Sequence, residues 1–402
     1  MVGEFWTGWM DHWNESHSTF PVHNFAFNLE YLLKSGASAN LYMFHGGTNF
    51  AFSNGANANF GWYQPTITSY DYDAPLTENG QVTPKYLKTC TAIKQFQIYG
   101  RFRGNLSKVE ELRTKTVPPT KQYGTFPVRT YLNLSELLQF LRYFRLRKLA
   151  PMERICAFLR NRSGRSYCRP QTFGFVLYRA SIPAGASIQF KLRLADRALI
   201  LVENRTEMVL ESFLVGNSDW HNFSLTFNQV KRRDVSILVE NMGRVNFRHH
   251  PRTLDNQRKG ILEGDVLMNG RKVRDWRVYS IDFNATFIRN LLAKDWIWNR
   301  FDFSLPKPQQ PGLFRIPLGK DLLAQSLEHS DPPDTFLDFQ GWTKGVAFIN
   351  SFNLGRYWKF GPQRRLFVPG PKLMTRISPE VVMFELHRPH NLVRLSSQPQ
   401  LS

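Results

Sequence analysis

The chain has 402 residues, of which 42% are apolar and 21% charged, with 26 glycines, 23 prolines and 3 cysteines. This composition excludes a disordered tail, a collagen and a disulfide-framework miniprotein, and the length predicts two or three domains. Lysine and arginine outnumber aspartate and glutamate 52 to 32, which gives a formal net charge of +20. Because no zinc-finger spacing, RNA-binding signature or basic region with heptads accompanies this charge, we expect no nucleic-acid partner.

The first hundred residues predict alternating strands and helices. A strand ends near Trp6, and apolar residues recur at helical spacing over residues 25–33. Residues 39–44 predict a strand covered on both faces, a long polar and aromatic loop runs to Pro75, and Thr83 precedes a second helix. This order predicts two β/α units of a parallel architecture.

From about residue 170 onward the hydrophobic period changes to two, which is typical of short strands. The predicted strands are residues 173–178, 188–192, 198–202, 223–227, 235–239, 336–339, 346–350 and 366–368. Such spacing predicts β-sandwiches or jelly rolls. Between the two regions, Ser135 and Glu136 are expected to cap a basic helix that continues through Phe144.

Several features bear on membranes and cellular compartment. There is no run of about 18 apolar residues, so we expect no membrane span, and the first residues lack the pattern of a signal peptide. Cys90, Cys156 and Cys168 cannot all pair within the chain, and their pairing stays open. Asn-X-Ser/Thr sequons favour a secretory or lysosomal route; they are Asn14, Asn105, Asn133, Asn161, Asn204, Asn222 and Asn284.

Two clusters have the residue types that bind and cleave sugars. Glu4 lies beside Trp6 and Trp9, and a carboxylate among indole rings suits a site that stabilises an oxocarbenium ion and stacks on a pyranose. The second cluster contains Tyr42 and residues 70–73, where tyrosines alternate with aspartates. A rim carboxylate and a structural hydrogen-bond network would show the same patterns, so the residues alone leave both interpretations open.

Three stretches together resemble a known family. Residues 4–9 (EFWTGW), 36–50 (GASANLYMFHGGTNF) and 68–76 (TSYDYDAPL) are similar to the final part of the catalytic barrel of the family-35 β-galactosidases, in the animal acid β-galactosidase and galactosidase-1-like branch. The resemblance continues at residues 167–178 and 240–244. It is strong again over residues 334–370, which resemble the terminal β-domain of that family.

The resemblance implies the fold and its division into segments. We expect an α/β and all-β chain in which the last two β/α units of a TIM barrel precede two β-sandwich or jelly-roll domains. The predicted segments are the barrel remnant (1–98), a linker with a basic helix (99–164), the first β-sandwich (165–270), a galactose-binding-like jelly roll (271–395) and a tail (396–402).

The resemblance also implies a reaction and residue roles. Glu4 matches the nucleophile of a retaining enzyme that hydrolyses terminal β-linked galactose from glycans. Trp9, Tyr42 and Tyr72 match residues that line the galactose pocket, and Trp6 stands where the acid enzyme usually has tyrosine. No metal or organic cofactor is implied, because carboxyl groups and water suffice for this chemistry. The full-length protein is expected to be lysosomal or secreted.

The chain departs from the family in one respect that matters for catalysis. The family's acid/base glutamate lies upstream in an Asn-Glu-Tyr sequence, which occurs nowhere in these 402 residues. Retaining hydrolysis requires two carboxyl groups about 5–5.5 Å apart, so we expect this chain to be inactive alone. The acids that could substitute are Glu15, Glu30, Asp71, Asp73 and Glu78.

Two other functions stay open at this stage. The first is a non-catalytic carbohydrate-binding or scaffold protein made of the two β-domains, in which Trp342, Tyr357 and Trp358 either stack on a sugar or pack in the core. The second is a polyanion-binding protein that uses the arginines between Arg142 and Arg169. The sequence does not determine linkage preference or oligomeric state.

Overall fold

The computed structural model describes residues 1–59, 62–98, 119–160, 166–211, 220–226, 233–248, 257–302, 304, 310–319, 332–375 and 378–402. Parts of the predicted linker, residues 99–118 and 161–165, therefore lie outside the described residues, as do the sequons at Asn105 and Asn161. Within the described part of the chain, no helix has both the length and the apolar character needed to cross a bilayer.

The described chain is mostly β, with few helices. The α-helices are α1 (Val22–Lys34), α2 (Pro84–Ile98), α3 (Leu134–Leu138) and α4 (Ala285–Leu292). The strands are β1 (Val2–Trp6), β2 (Ala39–Tyr42), β3 (Gly55–Asn59), β4 (Trp62–Pro65), β5 (Gly124–Pro127), β6 (Thr130–Asn133), β7 (Tyr143–Leu146), β8 (Cys156–Arg160), β9 (Ser166–Pro170), β10 (Phe175–Ile182), β11 (Ser187–Ala195), β12 (Arg197–Val202), β13 (Arg205–Glu211), β14 (Trp220–Thr226), β15 (Arg233–Glu240), β16 (Arg244–Arg248), β17 (Gly260–Met268), β18 (Arg271–Lys272), β19 (Trp276–Ile281), β20 (Asn299–Arg300), β21 (Gly312–Pro317), β22 (Thr335–Asp338), β23 (Lys344–Ile349), β24 (Phe352–Trp358), β25 (Arg365–Val368), β26 (Glu380–Glu385) and β27 (Leu392–Ser396).

The N-terminal segment has the predicted order of strand, helix, strand and helix. β1 pairs in parallel with β2, with Trp6 opposite Tyr42. The intervening α1 buries Phe25 and Leu29 against Ala92 of α2, so the two helices pack on the same small core. This parallel pair brings the ends of both strands to one edge, where the sequence predicts the functional residues.

A hairpin lies in the region that the sequence predicts to be loop up to Pro75, and that prediction is wrong here. β3 pairs antiparallel with β4 and, on its other side, parallel with β16. Its residues, Gly-Ala-Asn-Ala-Asn, have low intrinsic β propensity, so the strand depends on a partner about 190 residues further along the chain. Ala56 and Ala58 are buried beside Trp13 and Trp358.

The first sandwich packs a six-stranded sheet against a four-stranded sheet. The strand orders are β13-β12-β15-β10-β19-β7 and β14-β11-β17-β18. Along β11 the residues alternate between solvent and core, so that Ile188, Phe190 and Leu192 point inward, as the period of two predicts. Trp276 of β19 is also buried in this core, although it lies after the predicted boundary at residue 270.

The second sandwich consists of the sheets β20-β6-β21-β26-β23-β24 and β25-β22-β27-β5. Its core contains Trp342, Tyr357 and Phe314 between the two sheets. The predicted strands of the C-terminal region are found here, and the fold is all-β as expected for this part of the chain. The boundaries of the five predicted segments stay a prediction.

The predicted helix through Phe144 is wrong. α3 ends at Leu138, and residues 143–146 form β7, which pairs with β19 at the edge of the first sandwich. The helix is capped by Asn133 and Glu136, each side chain binding the other residue's backbone N–H, rather than by Ser135. Residues 143–146 form backbone hydrogen bonds with the strand β19. They are therefore a strand and do not continue the helix.

Buried ion pairs join the N-terminal segment to both sandwiches. Glu240 of β15 binds Lys344 of β23 at 3.0 Å and lies 3.4 Å from Arg356 of β24. Arg356 in turn donates to the side chain of Asn54, which precedes the β3–β4 hairpin. Burial opposes ionisation of Glu240, but Lys344 and Arg356 lower its pKa below the usual value. The Glu240 carboxylate therefore joins the two sandwiches, and Arg356 links this ion pair to the N-terminal segment.

A second buried pair holds the same hairpin. Asp196 accepts from Lys259 at 2.5 Å and from the hydroxyl of Tyr63 at 3.0 Å. The same hydroxyl lies 2.6 Å from the carbonyl of Gly243, so its single proton is shared between the two acceptors. Because all three side chains are buried, these hydrogen bonds fix the hairpin against the first sandwich.

Candidate active site

Glu4 and Trp6 lie on the same face of β1, because alternate strand residues point in the same direction. The indole N–H of Trp6 donates to Oε2 of Glu4 at 3.0 Å, and both side chains are exposed. Between them, Phe5 points to the opposite face and packs against Phe25 of α1 at 5.7 Å between ring centroids. The inward Phe5 thus fixes the orientation that presents the Glu4 carboxylate to solvent.

The four predicted pocket aromatics form one connected group of rings. Trp6 contacts Trp9 at 4.8 Å between centroids, Trp9 contacts Tyr72 at 6.2 Å, and Tyr42 contacts Tyr72 edge-on at 5.8 Å. Tyr70 joins the group at 5.5 Å from Tyr72. The structure therefore brings Glu4, Trp6, Trp9, Tyr42 and Tyr72 to one place, although they are spread over 69 residues of sequence.

Tyr72 is the most buried member of this group. Its hydroxyl has no hydrogen-bond partner among the residues that the structure describes. Burial raises its pKa, and the neighbouring Tyr42 and the negative charge of Glu4 raise it further. The pKa of Tyr70 is raised for the same reasons, burial being the largest. Both phenols thus stay protonated. The Tyr70 hydroxyl donates to Sδ of Met10 at 4.0 Å, whereas the Tyr72 hydroxyl is available as a donor near the Glu4 carboxylate.

Lys85 fixes the loop that carries Tyr72. It lies in the first turn of α2 and is almost fully buried. Its ammonium group donates to the carbonyl of Thr7 at 2.7 Å, the carbonyl of Asp73 at 2.6 Å and the Asp73 carboxylate at 2.5 Å. Burial lowers the pKa of Lys85, and the Asp73 carboxylate opposes this effect. The end of β1 and the Tyr72 loop are therefore tied to one cation, which the sequence analysis did not single out.

Two glycines allow the backbone segments to approach closely. A Cβ atom at Gly8 would lie 1.9 Å from the carbonyl oxygen of Tyr72, and one at Gly46 would lie 1.6 Å from that of Tyr70. Tyr72 itself has a positive φ of 64°, a conformation that is uncommon for a residue with a side chain. The position of the tyrosines therefore depends on glycine at both sites.

Glu78 is a buried carboxyl group that binds the loops around the tyrosine residues. It accepts from the hydroxyl of Thr48 at 2.6 Å and that of Ser69 at 2.8 Å, and its carbonyl lies 3.1 Å from Nε2 of His45. Burial raises the pKa of Glu78 to about 7, against the opposing effect of the two hydroxyl donors. This carboxyl group is enclosed by the loops that follow β2 rather than exposed beside the aromatic rings.

The other acids weighed as substitutes also have structural partners. Glu15 accepts from His12 at 2.8 Å and from Gln64 at 2.6 Å. Glu30 pairs with Lys34 within α1, Asp71 accepts from the backbone N–H of Asp73, and the Asp73 carboxylate binds Lys85 and the N–H of Phe20. Each of these carboxylates is thus bound to protein groups other than Glu4.

Three aromatic residues of the C-terminal domain were considered either as sugar-stacking residues or as core residues, and all three lie in the core. Trp342 and Tyr357 are fully buried and Trp358 nearly so. The indole N–H of Trp342 donates to the carbonyl of Leu392 at 2.9 Å, and the ring of Trp358 lies tilted against that of Trp13 with 6.2 Å between centroids. Of the two interpretations that the sequence leaves open for these three rings, packing in the core is therefore the correct one, because they fill the sandwich and its contact with the N-terminal segment.

No group of three or more histidine, cysteine, aspartate or glutamate side chains arranged to hold a metal ion is found in the described ranges. Cys90 is buried in α2. The side chains of Cys156 and Cys168 lie outside the description, so the pairing of the cysteines stays open.

Comparison with protein families gives three matches along the chain. Residues 1–96 match "Glycosyl hydrolases family 35", residues 170–282 match "Beta-galactosidase, first all-beta domain", and residues 297–377 match "Beta-galactosidase, galactose-binding domain". Three parts of the chain are therefore similar to a segment of glycosyl hydrolase family 35 and to two β-galactosidase domains, one of them described as all-β. The resemblance to glycosyl hydrolase family 35 that the motifs predict is confirmed, with residues 1–96 matching the family itself.

Similar proteins come from animals. The chain is 34% identical over 388 residues to "Beta-galactosidase-1-like protein 2" of Homo sapiens, which covers 96% of this chain and 54% of that protein. It is 35% identical over 405 residues to the "Beta-galactosidase" of Pongo abelii, covering 96% and 53%. The chain thus spans about half the length of the curated relatives it matches. A solved GH2 beta-galacturonidase from Eisenbergiella tayi aligns at 8% identity over 68% of this chain and 38% of that one, with a TM-score of 0.18, too low to support a statement about the fold.

Proposed function

We propose that Glu4 is the nucleophile of a retaining exo-β-galactosidase that removes terminal β-linked galactose from glycans. The observation that carries this proposal is the exposed Glu4 carboxylate, bound to the Trp6 indole N–H and adjoining the ring group of Trp9, Tyr42 and Tyr72. A carboxylate held beside aromatic faces suits attack on an anomeric carbon whose sugar ring stacks on those faces.

The aromatic residues have different roles in this proposal. Trp6 and Trp9, which are exposed, stack on the C–H face of galactose. Tyr72, whose buried hydroxyl lacks a partner among the described residues, donates to a sugar hydroxyl and so satisfies a costly unpaired group. Tyr42 packs edge-on against Tyr72 and sets the side of the pocket.

We further propose that β1, α1, β2 and α2 are the last two β/α units of a catalytic barrel. The parallel pairing of β1 and β2 across a helix supports this assignment, because crossover helices connect the parallel strands of such barrels. The nucleophile then lies at the carboxyl end of its strand, the edge at which barrel enzymes carry their active sites.

Residues 1–402 are expected not to hydrolyse ordinary galactosides alone. The leaving oxygen needs a proton donor, and each of the alternative acids binds another protein group instead. These acids are Glu15, Glu30, Asp71, Asp73 and Glu78. An acid catalyst typically contributes about 10²–10⁴-fold to such a step. The sequons favour a lysosomal or secreted location for the whole protein, and terminal galactosides of glycans are the proposed substrate.

A galactoside with a very good leaving group tests the nucleophile without an acid catalyst. Incubation with 2,4-dinitrophenyl 2-deoxy-2-fluoro-β-galactoside should leave a fluorogalactosyl ester on Glu4, because dinitrophenolate departs unprotonated. Peptide mass spectrometry locates the ester. The Glu4→Gln variant should remain unlabelled, whereas the Glu15→Gln variant should be labelled like the unaltered protein. An ester on another residue, or none on Glu4, would contradict the proposal.

A further inference from the structure

The sequons differ sharply in how the folded chain presents them. Five of the seven lie in the described residues, at Asn14, Asn133, Asn204, Asn222 and Asn284. An N-linked glycan is attached to the side-chain amide nitrogen and is bulky and solvated, so a folded chain accommodates it only where that nitrogen reaches water.

The first accessible sequon is Asn14-Glu15-Ser16. All three residues are exposed. The backbone of Asn14 has a φ of 67°, a region that asparagine tolerates well, and its N–H donates to the carbonyl of Gly361 at 2.9 Å. The backbone of Asn14 is thus anchored while the residue as a whole stays at the surface.

The second accessible sequon is Asn222-Phe223-Ser224 in β14. This strand ends the four-stranded sheet of the first sandwich in the described part of the chain. Asn222 and Ser224 are exposed, whereas Phe223 stacks on Phe190 at 4.6 Å toward the core. The period of two in a strand therefore places the acceptor asparagine and its serine on the outer face together.

Asn204 provides an internal contrast. It is buried at a turn between β12 and β13, and its amide nitrogen donates to the hydroxyl of Ser135. Its side-chain oxygen accepts from the guanidinium of Arg179. A glycan on this nitrogen would displace the hydrogen bond to Ser135 and would separate α3 from the first sandwich. Asn133 and Asn284 are half-buried, and their side-chain oxygens cap α3 and α4.

We propose that Asn14 and Asn222 carry N-linked glycans in the folded protein and that Asn204 does not. This inference rests on the secretory or lysosomal route proposed above and is independent of the role of Glu4. A glycan on Asn222 covers the outer face beside a strand edge that has no partner strand among the described residues, and an open edge of this kind is a template for pairing with another chain.

The test uses the full 402-residue chain directed through the secretory pathway of animal cells by a cleavable leader. Glycans are released with a peptide amidase in heavy-oxygen water, which converts each occupied asparagine to labelled aspartate, and tryptic peptides are analysed by mass spectrometry. Peptides with Asn14 and Asn222 should carry the label, and the peptide with Asn204 should contain unmodified asparagine.

Sequon variants that retain the asparagines separate glycan loss from misfolding. Ser16→Ala and Ser224→Ala should each remove one glycan from the secreted protein, and Thr206→Ala, which breaks the Asn204 sequon, should remove none. Label on Asn204 in secreted, folded chain, or unmodified asparagine at either position 14 or position 222, would overturn the inference. A failure of Glu4 labelling would leave these results unchanged, so the two proposals fail separately.

Discussion

The buried carboxyl group of Glu78 should contribute stability that is larger at acidic than at alkaline pH. Its pKa rises from an ordinary value of 4.5 to about 7 in the folded chain because of burial. Between those values the folded state binds a proton that the unfolded state releases. The resulting stability is fully present below about 4.5 and is lost as the pH rises through about 7. Over the interval from about pH 5 to about pH 8 this corresponds to roughly 2–3 kcal/mol of unfolding free energy.

The Glu78→Gln variant removes the titration while keeping the side-chain shape and both hydroxyl partners, Thr48 and Ser69. Urea unfolding followed by tryptophan fluorescence, at about pH 5 and about pH 8, gives the change in unfolding free energy between the two conditions. We expect this change to be smaller in the variant by roughly 2–3 kcal/mol. Glu30→Gln, at a surface helix pair, should behave like the unaltered protein. If Glu78→Gln shows the same pH dependence as the unaltered protein, the reasoning from burial is refuted.

Three further perturbations follow from contacts described above. Glu240→Gln leaves Lys344 and Arg356 buried without their carboxylate and should lower the unfolding free energy in urea by about 3–5 kcal/mol. The control is Glu263, whose exposed carboxylate pairs with Arg193 at 2.8 Å; Glu263→Gln should change the unfolding free energy by less than about 1 kcal/mol. Equal effects of the two substitutions would contradict the burial argument. Gly8→Ala should lower the unfolding free energy by about 1–3 kcal/mol and should alter the near-ultraviolet circular dichroism of the tyrosine group. Gly3→Ala is the control: a Cβ atom there meets nothing within 4 Å, so neither the unfolding free energy nor the spectrum should change. Trp342→Ala leaves a cavity in the core and should lower the unfolding free energy by about 3–5 kcal/mol, measured by thermal unfolding. A negligible loss of stability would mean that the indole does not pack in the core.

Elements with local signals could be predicted from the sequence. Pro21 before and Gly36 after the periodic apolar residues bracket α1, which runs from Val22 to Lys34. Thr83 likewise precedes α2, which begins at Pro84. The short alternating segments became strands of the two sandwiches because their period of two already matched a half-buried sheet. In each of these cases the information lies within a few residues of the element.

Features that depend on distant partners could not be predicted in this way. The hairpin of β3 and β4 has few strand-forming residues and is completed by β16, and β7 is a strand because β19 offers an edge. The proximity of Glu4 to Tyr42 and Tyr72 was predicted from the resemblance of the motifs to a known family, because hydrophobic periodicity does not show which distant residues meet. Lys85 looked like an ordinary lysine in a helix, since only the fold shows that its ammonium group meets Thr7 and Asp73.

The parallel contact between β3 and β16 limits how this chain can be recombined with its relatives. A hybrid that joined residues 1–98 to the β-domains of another protein would have to import a strand in the register of β16, since Ala56 opposes Val245 across that seam. The imported domain would also need a hydrogen-bond acceptor for the Tyr63 hydroxyl, in the position of the Gly243 carbonyl. Grafts that are cut after residue 98 without providing this partner strand should therefore assemble poorly, because residues 1–98 do not fold independently of the first sandwich.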